Sequence, residues 1–154
     1  MERRTFLKGT LATSTVAIAA SAGMLSPRTV LAAWPKSAFE AKSVDDALNS
    51  LFGSSSTSAS GDIKIKAPDI AENGAVVPIT ITSNISGIES ISIVTKNNGN
   101  PLAGSFNLAS NAKGFISTRI KMGKTSDVMA VIKAGGKSYV AQKNIKVTIG
   151  GCGG

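Results

Sequence analysis

The sequence of 154 residues contains no histidine and one cysteine, Cys152. These two counts exclude Ser-His-Asp and Cys-His hydrolytic centres within the sequence. They also exclude histidine-ligated metals and zinc sites built from two or more cysteines. An intrachain disulfide is impossible because it needs two cysteines. We therefore expect no metal and no cofactor.

Charged residues make up 17% of the sequence and aromatic residues only 5%. The carboxylates are scattered, and no pair of them forms an obvious acid–base couple. The basic residues form no run, and few aromatic rings are present on which nucleic-acid bases could stack. These absences argue against a nucleic-acid partner.

The first residues have the pattern of an export signal. Arg3-Arg4 stand before Thr-Phe-Leu-Lys, as in the twin-arginine (Tat) consensus, and a weakly apolar stretch of 17 residues follows, diluted by five Ser and Thr. Such a stretch is a poor membrane anchor. We predict cleavage after Ala32 or Ala33 and a periplasmic location without a membrane anchor. The alternative is an ordinary secretory leader.

Removal of residues 1–32 lowers Lys+Arg from 17 to 13 and Asp+Glu from 9 to 8, so the net charge falls from +8 to +5. This moderate positive charge favours encounters with anions or acidic partners. Because the Tat pathway carries folded cargo, we also expect a partner that binds before export.

One amphipathic helix is predicted before residue 54. Ser43 is a suitable N-cap, and Gly53 is a suitable terminator. The apolar residues lie on one face of the helix: Val44, Ala47, Leu48, Leu51 and Phe52. Because the Ser-rich run 54–60 reads as a flexible linker, the helix is expected to dock either on its own domain or on a partner.

From residue 62 onward the apolar residues alternate with polar ones, as in β-strands. Seven short strands separated by turn residues predict an all-β, immunoglobulin-like antiparallel β-sandwich. Gly135-Gly136 predicts a hairpin with a two-residue turn, and Pro78 predicts an edge strand or a β-bulge at its position. The expected organisation is a signal peptide over 1–32, a helical segment over 33–53, a linker over 54–60, a sandwich over 61–149 and a tail over 150–154.

The most unusual feature is the tail, in which Cys152 is bracketed by Gly150, Gly151, Gly153 and Gly154. Glycine restricts the backbone least of all residues, so this segment predicts a swinging tether that presents a thiol. A catalytic thiol instead needs fixed neighbours that activate and aim it.

Three stretches resemble the SoxY family, the sulfur-carrier subunits of the Sox thiosulfate-oxidising system. They are the tail GGCGG, the segment PDIAENGAVVP at residues 68–78 and the segment STRIKM at residues 117–122. A Tat leader is also typical of that family. The Ser-rich run is a departure from the family pattern, and it affects the placement of the helix rather than the chemistry.

The resemblance implies a covalent carrier rather than an enzyme. Cys152 would hold S-thiosulfonate and persulfide intermediates. A Sox cytochrome would load thiosulfate, a hydrolase would release sulfate, and in some organisms a dehydrogenase would oxidise the remaining sulfane sulfur. The partner subunit would be SoxZ, a small sandwich protein without a leader that forms a heterodimer with the carrier.

Two other functions fit the same residues. A sulfurtransferase with Cys152 as its nucleophile would turn over thiosulfate without a partner. A secreted sandwich domain that dimerises through Cys152 would form reducible dimers without sulfur adducts, since oxidising compartments favour disulfides.

Overall fold

The computed structural model describes residues 35–148. Within this range two helices, α1 (Lys36–Glu40) and α2 (Val44–Phe52), precede nine strands. The strands are β1 (Ser58–Ala59), β2 (Ile63–Lys66), β3 (Ile70–Ala71), β4 (Val77–Ser83), β5 (Ile88–Thr95), β6 (Leu102–Asn107), β7 (Phe115–Ile120), β8 (Ser126–Ala134) and β9 (Lys137–Val147). Neither helix is long and apolar enough to cross a membrane.

Helix α2 begins and ends where its sequence predicts. The hydroxyl of Ser43 accepts a hydrogen bond from the backbone N–H of Asp46 at 3.1 Å. Gly53 ends the helix with a φ of 73°, and its N–H donates to the carbonyl of Asn49 at 2.8 Å. A side chain would be strained at this positive φ, which explains the glycine. Helix α1 is an addition to the predicted elements.

The apolar face of α2 packs on this chain's own sandwich. Ala47 and Leu48 are buried, with 0% and 2% exposure. The buried residues that complete this cluster come from the region of α1 and from three strands: Ala38, Ala41, Val94, Leu102, Met129 and Val131. Of the two docking sites that the sequence allows for the helix, the structure therefore selects the chain's own domain.

The strands form two facing sheets, so the predicted all-β sandwich is confirmed. The larger sheet has the order β1-β9-β8-β5-β6, with β3 also paired to β9, and the smaller sheet has the order β2-β4-β7. The seven longer strands correspond to the seven predicted ones. The β8–β9 hairpin turns at Gly135 and Gly136, whose φ values of 56° and 72° fit the predicted two-residue turn.

The main core fills the space between the two sheets. Its fully buried side chains include Ile79 and Ile81 from the smaller sheet and Ile91, Ile93 and Ile132 from the larger one. These residues occupy alternate positions along their strands, as the period-two pattern predicts.

Part of the Ser-rich run is ordered by strand pairing. Ser58 and Ala59 form β1, parallel to Tyr139 and Val140 of β9. The N–H of Ser60 also donates to the carbonyl of Val140 at 3.0 Å. The prediction of a flexible linker is therefore wrong at the C-terminal end of the run. Backbone hydrogen bonds to β9 order these residues, and such bonds leave no signal in the side chains.

Pro78 lies in β4, the middle strand of the smaller sheet. Strand β2 ends at Lys66, which pairs with Thr80. Pro78 pairs only with Arg119 of β7. This part of β4 is therefore locally an edge, where the missing N–H of proline is tolerated, as predicted.

The position of Leu48 between helix and sheet gives a first prediction. Replacement by alanine (Leu48→Ala) should lower the free energy of unfolding by about 2–4 kcal/mol, because it leaves a cavity in a cluster internal to the chain. Chemical denaturation of the isolated protein measures this loss. Asn49→Ala, at the next and exposed position of α2, should change it by less than about 0.5 kcal/mol. Equal stability of the two variants would contradict the docking of α2 on its own sheet.

Candidate functional site

The residues predicted to carry the function lie outside the described range. Cys152 with Gly150, Gly151, Gly153 and Gly154, and Arg3 with Arg4, all fall in residues 1–34 or 149–154. The nearest described position is Thr148, four residues before the thiol. Four residues span about 14 Å at full extension, so the surroundings of Thr148, here called the base of the tail, are the described surface nearest in sequence to the thiol.

One edge of the end of β9 is fixed by the segment around β3. The N–H of Lys146 donates to the carbonyl of Asp69 at 2.9 Å, and the N–H of Thr148 donates to the carbonyl of Ala71 at 3.1 Å. The hydroxyl of Thr148 donates to the same carbonyl at 3.4 Å. Lys143 reinforces this edge, since its Nζ lies 3.0 Å from Oδ1 of Asp69. The end of β9 and Thr148 are therefore hydrogen-bonded along the edge that faces β3.

The other edge is fixed by the turn between β7 and β8. The N–H of Val147 donates to Oγ1 of Thr125 at 3.0 Å. The N–H of Met122 donates to the carbonyl of Gly74 at 2.7 Å. A Cβ atom at position 74 would overlap the carbonyl oxygen of Met122 and would lie 2.8 Å from Cγ1 of Val147. Only glycine allows the backbone at position 74 to approach the Met122 backbone and the Val147 side chain so closely.

The fold brings together two of the stretches that the sequence singles out. Segment 68–78 and the end of segment 117–122 meet at Gly74 and Met122, and both lie against the strand that leads into the tail. The supporting role of Thr125 is missed by sequence reasoning. The sequence shows only that Thr125 lies in a polar turn. Its hydrogen bond to Val147 depends on how β8 and β9 are aligned in the folded chain.

The surface beside this base is apolar on one side and basic on another. Ile70 and Val76 are 55% and 50% exposed. A shallow cleft of about 430 Å³ lies between the β5–β6 and β7–β8 turns at the same end of the sandwich. Its lining residues are Lys42, Asn98, Gly99, Asn100, Lys121 and Gly123.

Asp127 connects three strands at the same end. Its carboxylate accepts hydrogen bonds from Nδ2 of Asn144 at 2.8 Å and from Nζ of Lys96 at 3.1 Å. These two bonds, the one from Asn144 first, and the charge of Lys96 lower the pKa of Asp127 below its usual 3.8. Through these bonds the carboxylate links β8 to β9 and to Lys96, which follows β5.

Another cleft lies at the opposite end of the sandwich. Its volume is about 470 Å³, and it is lined by residues of the 82–88 and 110–115 segments. Strand β4 runs from Val77, near Gly74, to Ser83, so this cleft lies at the far end of the sandwich from Thr148. Within residues 35–148, no three Asp, Glu, His or Cys side chains lie close enough to hold a metal ion.

Comparison with known proteins identifies the family of the chain. The family model described as sulfur oxidation protein SoxY matches residues 48–152. The matched range includes the base of the tail and extends to Cys152.

The chain belongs to the SoxY family.

A solved SoxY structure, the sulfur carrier protein SoxY from Chlorobium limicola f thiosulfatophilum, is 45% identical to this chain. The match covers 69% of this chain and 96% of that one, with a TM-score of 0.63. The resemblance predicted from the tail and the two internal segments is therefore confirmed.

A more distant structure shares the fold alone. The superoxide reductase (neelaredoxin) from Ignicoccus hospitalis is 18% identical, and the match covers 56% of this chain and 80% of that one with a TM-score of 0.50. A comparison with curated proteins gives no significant match.

The close contact at Gly74 gives a second prediction. Gly74→Ala should lower the free energy of unfolding by about 1–3 kcal/mol, because the new methyl group must displace the backbone of Met122 or the side chain of Val147. It should also speed the hydrogen exchange of the Val147 and Thr148 amides. Gly99→Ala is the matched control, since a Cβ atom there meets nothing within 4 Å. Equal exchange in both variants would show that Gly74 does not hold the end of β9.

Proposed function

We propose that this SoxY protein is a periplasmic sulfur carrier that holds thiosulfate-derived intermediates covalently on Cys152. The observation that carries this proposal is the family match, which extends to Cys152, together with 45% identity to a protein described as a sulfur carrier. The hydrogen bonds that hold β9 up to Thr148 support it, because they give a short glycine-rich tether a fixed origin.

The proposed chemistry needs only one sulfur atom from this chain. The Cys152 thiolate and thiosulfate form a disulfide-type bond when a cytochrome removes two electrons: RS⁻ + S₂O₃²⁻ → RS–S–SO₃⁻ + 2 e⁻. Water then cleaves the bond between the sulfane sulfur and the sulfonate group: RS–S–SO₃⁻ + H₂O → RS–SH + HSO₄⁻. A thiol is the side chain suited to this cycle because its bonds to sulfur form and break reversibly.

Partner enzymes supply the activation in this proposal. The sequence contains no histidine that could act as a base for the thiol. The Asp127 carboxylate, with its lowered pKa, is a weak base and is already engaged by Asn144 and Lys96. A thiol on a short, narrow tether can enter the active sites of a loading cytochrome, a sulfate-releasing hydrolase and a sulfur dehydrogenase in turn.

Export by the Tat pathway forms part of the proposal. It rests on Arg3-Arg4 and the weakly apolar stretch that follows them. Because that pathway carries folded proteins, it also suits a carrier that leaves the cytoplasm together with a bound subunit.

The thiol gives the third prediction. Cys152→Ser should abolish thiosulfate-dependent oxidation, while the thermal midpoint of unfolding should stay within about 1 °C, because the substitution lies in the proposed glycine-rich tether and outside the described core. Intact mass of protein purified from thiosulfate-grown cells should show reductant-sensitive sulfur adducts on the wild type and none on the variant.

The same measurement separates the competing functions. Turnover of thiosulfate by the isolated wild-type chain would favour a sulfurtransferase. Covalent dimers of wild-type chains without sulfur adducts would favour a domain that dimerises through Cys152. Either result would contradict the carrier proposal.

We further propose that a SoxZ-like subunit covers the open side of the sandwich. Strands β6 and β7 are the outer strands of the two sheets in the described part of the chain. Between them lie half-buried apolar side chains, Phe106 and Ile116 among them. Free strand edges beside apolar side chains are typical of surfaces that a partner strand covers. On the opposite side, β1 and β3 cover the outer edge of β9 in the larger sheet, and β2 is the outer strand of the smaller sheet.

The fourth prediction concerns this heterodimer. Co-expression with a small leaderless sandwich protein should give a complex that survives size exclusion in reductant, with a buried area above about 1,200 Å². Thr118→Lys places a charge at the edge of β7 and should dissociate the complex, since inward charges block edge pairing. Thr82→Lys, on the exposed outer face of the same sheet, should leave it intact. A monomer that never retains the small protein would refute the partner proposal.

A further inference from the structure

The outer face of the smaller sheet is polar and carries positive charge only. Alternate residues of β2, β4 and β7 point away from the core, since their neighbours along each strand are buried or half-buried. The outward residues are Lys64, Lys66, Pro78, Thr80, Thr82, Phe115, Ser117 and Arg119. None of the three strands contains Asp or Glu anywhere in its length. We call this surface the basic face.

The cations of the basic face lack acidic partners. Among residues 35–148, Lys64, Lys66 and Arg119 form no ion pair. The larger sheet differs, because Lys96 pairs with Asp127 at 3.1 Å and Lys133 lies 3.8 Å from Glu89. No ion pair in the described part of the protein therefore neutralises these three cations, and the nearest acidic residue along β2 is the exposed Asp62, which directly precedes the strand.

The register arranges these side chains in a flat array. Lys66 pairs with Thr80, and Thr80 pairs with Ser117, so three strands align in one row. Arg119 lies two residues further along β7, opposite Pro78. With strand spacings of about 4.8 Å and about 3.4 Å per residue, the cations spread over roughly 10 Å by 14 Å. An area of this size matches the central part of a small protein contact.

The basic face extends towards the base of the tail. After Arg119, β7 ends at Ile120, which pairs with Val77. Two residues later, the N–H of Met122 donates to the carbonyl of Gly74, and Gly74 packs against Val147. A protein bound at the Pro78–Arg119 end of the basic face would therefore lie towards the origin of the tether, whereas Lys64 and Phe115 lie at the far end, beside the 470 Å³ cleft.

We propose that the basic face is the docking surface for acidic patches around the active-site entrances of the enzymes that process the tail. This inference rests on the proposed carrier function and adds the surface by which the enzymes recognise the carrier. Unpaired cations attract a complementary surface and steer its approach, which raises the association rate more than the lifetime of the complex.

The chemistry of the face favours such transient partners. Permanent interfaces are largely apolar, whereas this face offers hydroxyl groups, with Thr80 Oγ1 and Ser117 Oγ 3.2 Å apart, and only Phe115 as a large apolar side chain. Binding to anionic lipid is commonly based on clusters of four to eight basic residues, and the face has fewer. A carrier must leave each enzyme after its step, so steered and short-lived contact suits it.

Charge reversal on the face tests the inference. The carrier is loaded with tetrathionate, which transfers a thiosulfate unit: RS⁻ + S₄O₆²⁻ → RS–S–SO₃⁻ + S₂O₃²⁻. Sulfate release by the hydrolase of the same organism is then followed against carrier concentration. At low salt, Lys64→Glu/Lys66→Glu should raise the KM for the carrier at least about tenfold with kcat unchanged. In 1 M salt, where the Debye length is about 3 Å, the two KM values should converge.

Matched variants distinguish an effect of the basic face on the KM from an effect of net charge or of misfolding. Lys113→Glu/Lys137→Glu reverses two exposed lysines outside the face and should leave the KM within about twofold. Lys64→Arg/Lys66→Arg keeps the charge and should behave as the wild type. Thermal unfolding should be similar for all three, because each altered side chain is exposed.

The remaining outcomes would contradict either the docking surface or the proposed carrier function. An equal KM in the wild type and Lys64→Glu/Lys66→Glu would overturn the docking surface, as would an equal rise in Lys113→Glu/Lys137→Glu. Binding of the wild type to phosphatidylglycerol vesicles that the Lys64→Glu/Lys66→Glu variant loses, with an unchanged KM, would assign the face to a membrane instead. Failure of the hydrolase to release sulfate from the loaded wild type would contradict the carrier function itself.

Discussion

Strand β9 has hydrogen-bonded partners on both of its edges, and the position of the last described residues depends on this pairing. Strand β8 supplies one edge over nine residue pairs. The other edge is shared, because the chain pairs first as β1, crosses to the smaller sheet as β2 and returns as β3. Lys143 secures this crossing by donating to the carbonyl of Ala67 at 2.7 Å and by its ion pair with Asp69. Bonding thus continues to Thr148, the last residue that the structure describes.

This bonding divides the sandwich into two ends with different surroundings. The end that contains Gly74, Met122 and Thr125 fixes the origin of the tail, and the basic face leads towards it. The other end contains the β8–β9 turn and the 470 Å³ cleft. The two long sides differ in the same way, since the edge at β9 is closed within the described chain and the β6/β7 side is open. A partner subunit and a processing enzyme can therefore occupy separate surfaces.

The sequence predicts those features that depend on local chemistry. Ser43 and Gly53 set the ends of α2, the alternation of Ile79 and Ile81 sets the sandwich core, and Gly135-Gly136 sets the hairpin. It does not predict β1 and β3, because two-residue strands arise from backbone pairing with β9 and have no pattern of their own. The support given by Thr125 and the charge of the basic face also escape a linear reading, since both depend on register between distant strands.

A short tether limits where an enzyme can bind the body of a carrier. The thiol lies four residues beyond Thr148, a reach of about 14 Å at full extension. In the proposed carrier, contacts made by the body add to the association free energy of those made by the tether. Binding of the body raises the effective concentration of the thiol at the active site only when the linker spans the distance between the two sites. A docking surface far from Thr148 would lose this advantage, whereas the end of the basic face at Arg119 and Pro78 lies towards Gly74 and the base of the tail. In the proposed carrier, the sheet binds the enzyme and the thiol takes part in the chemistry, and the few residues after β9 connect the two.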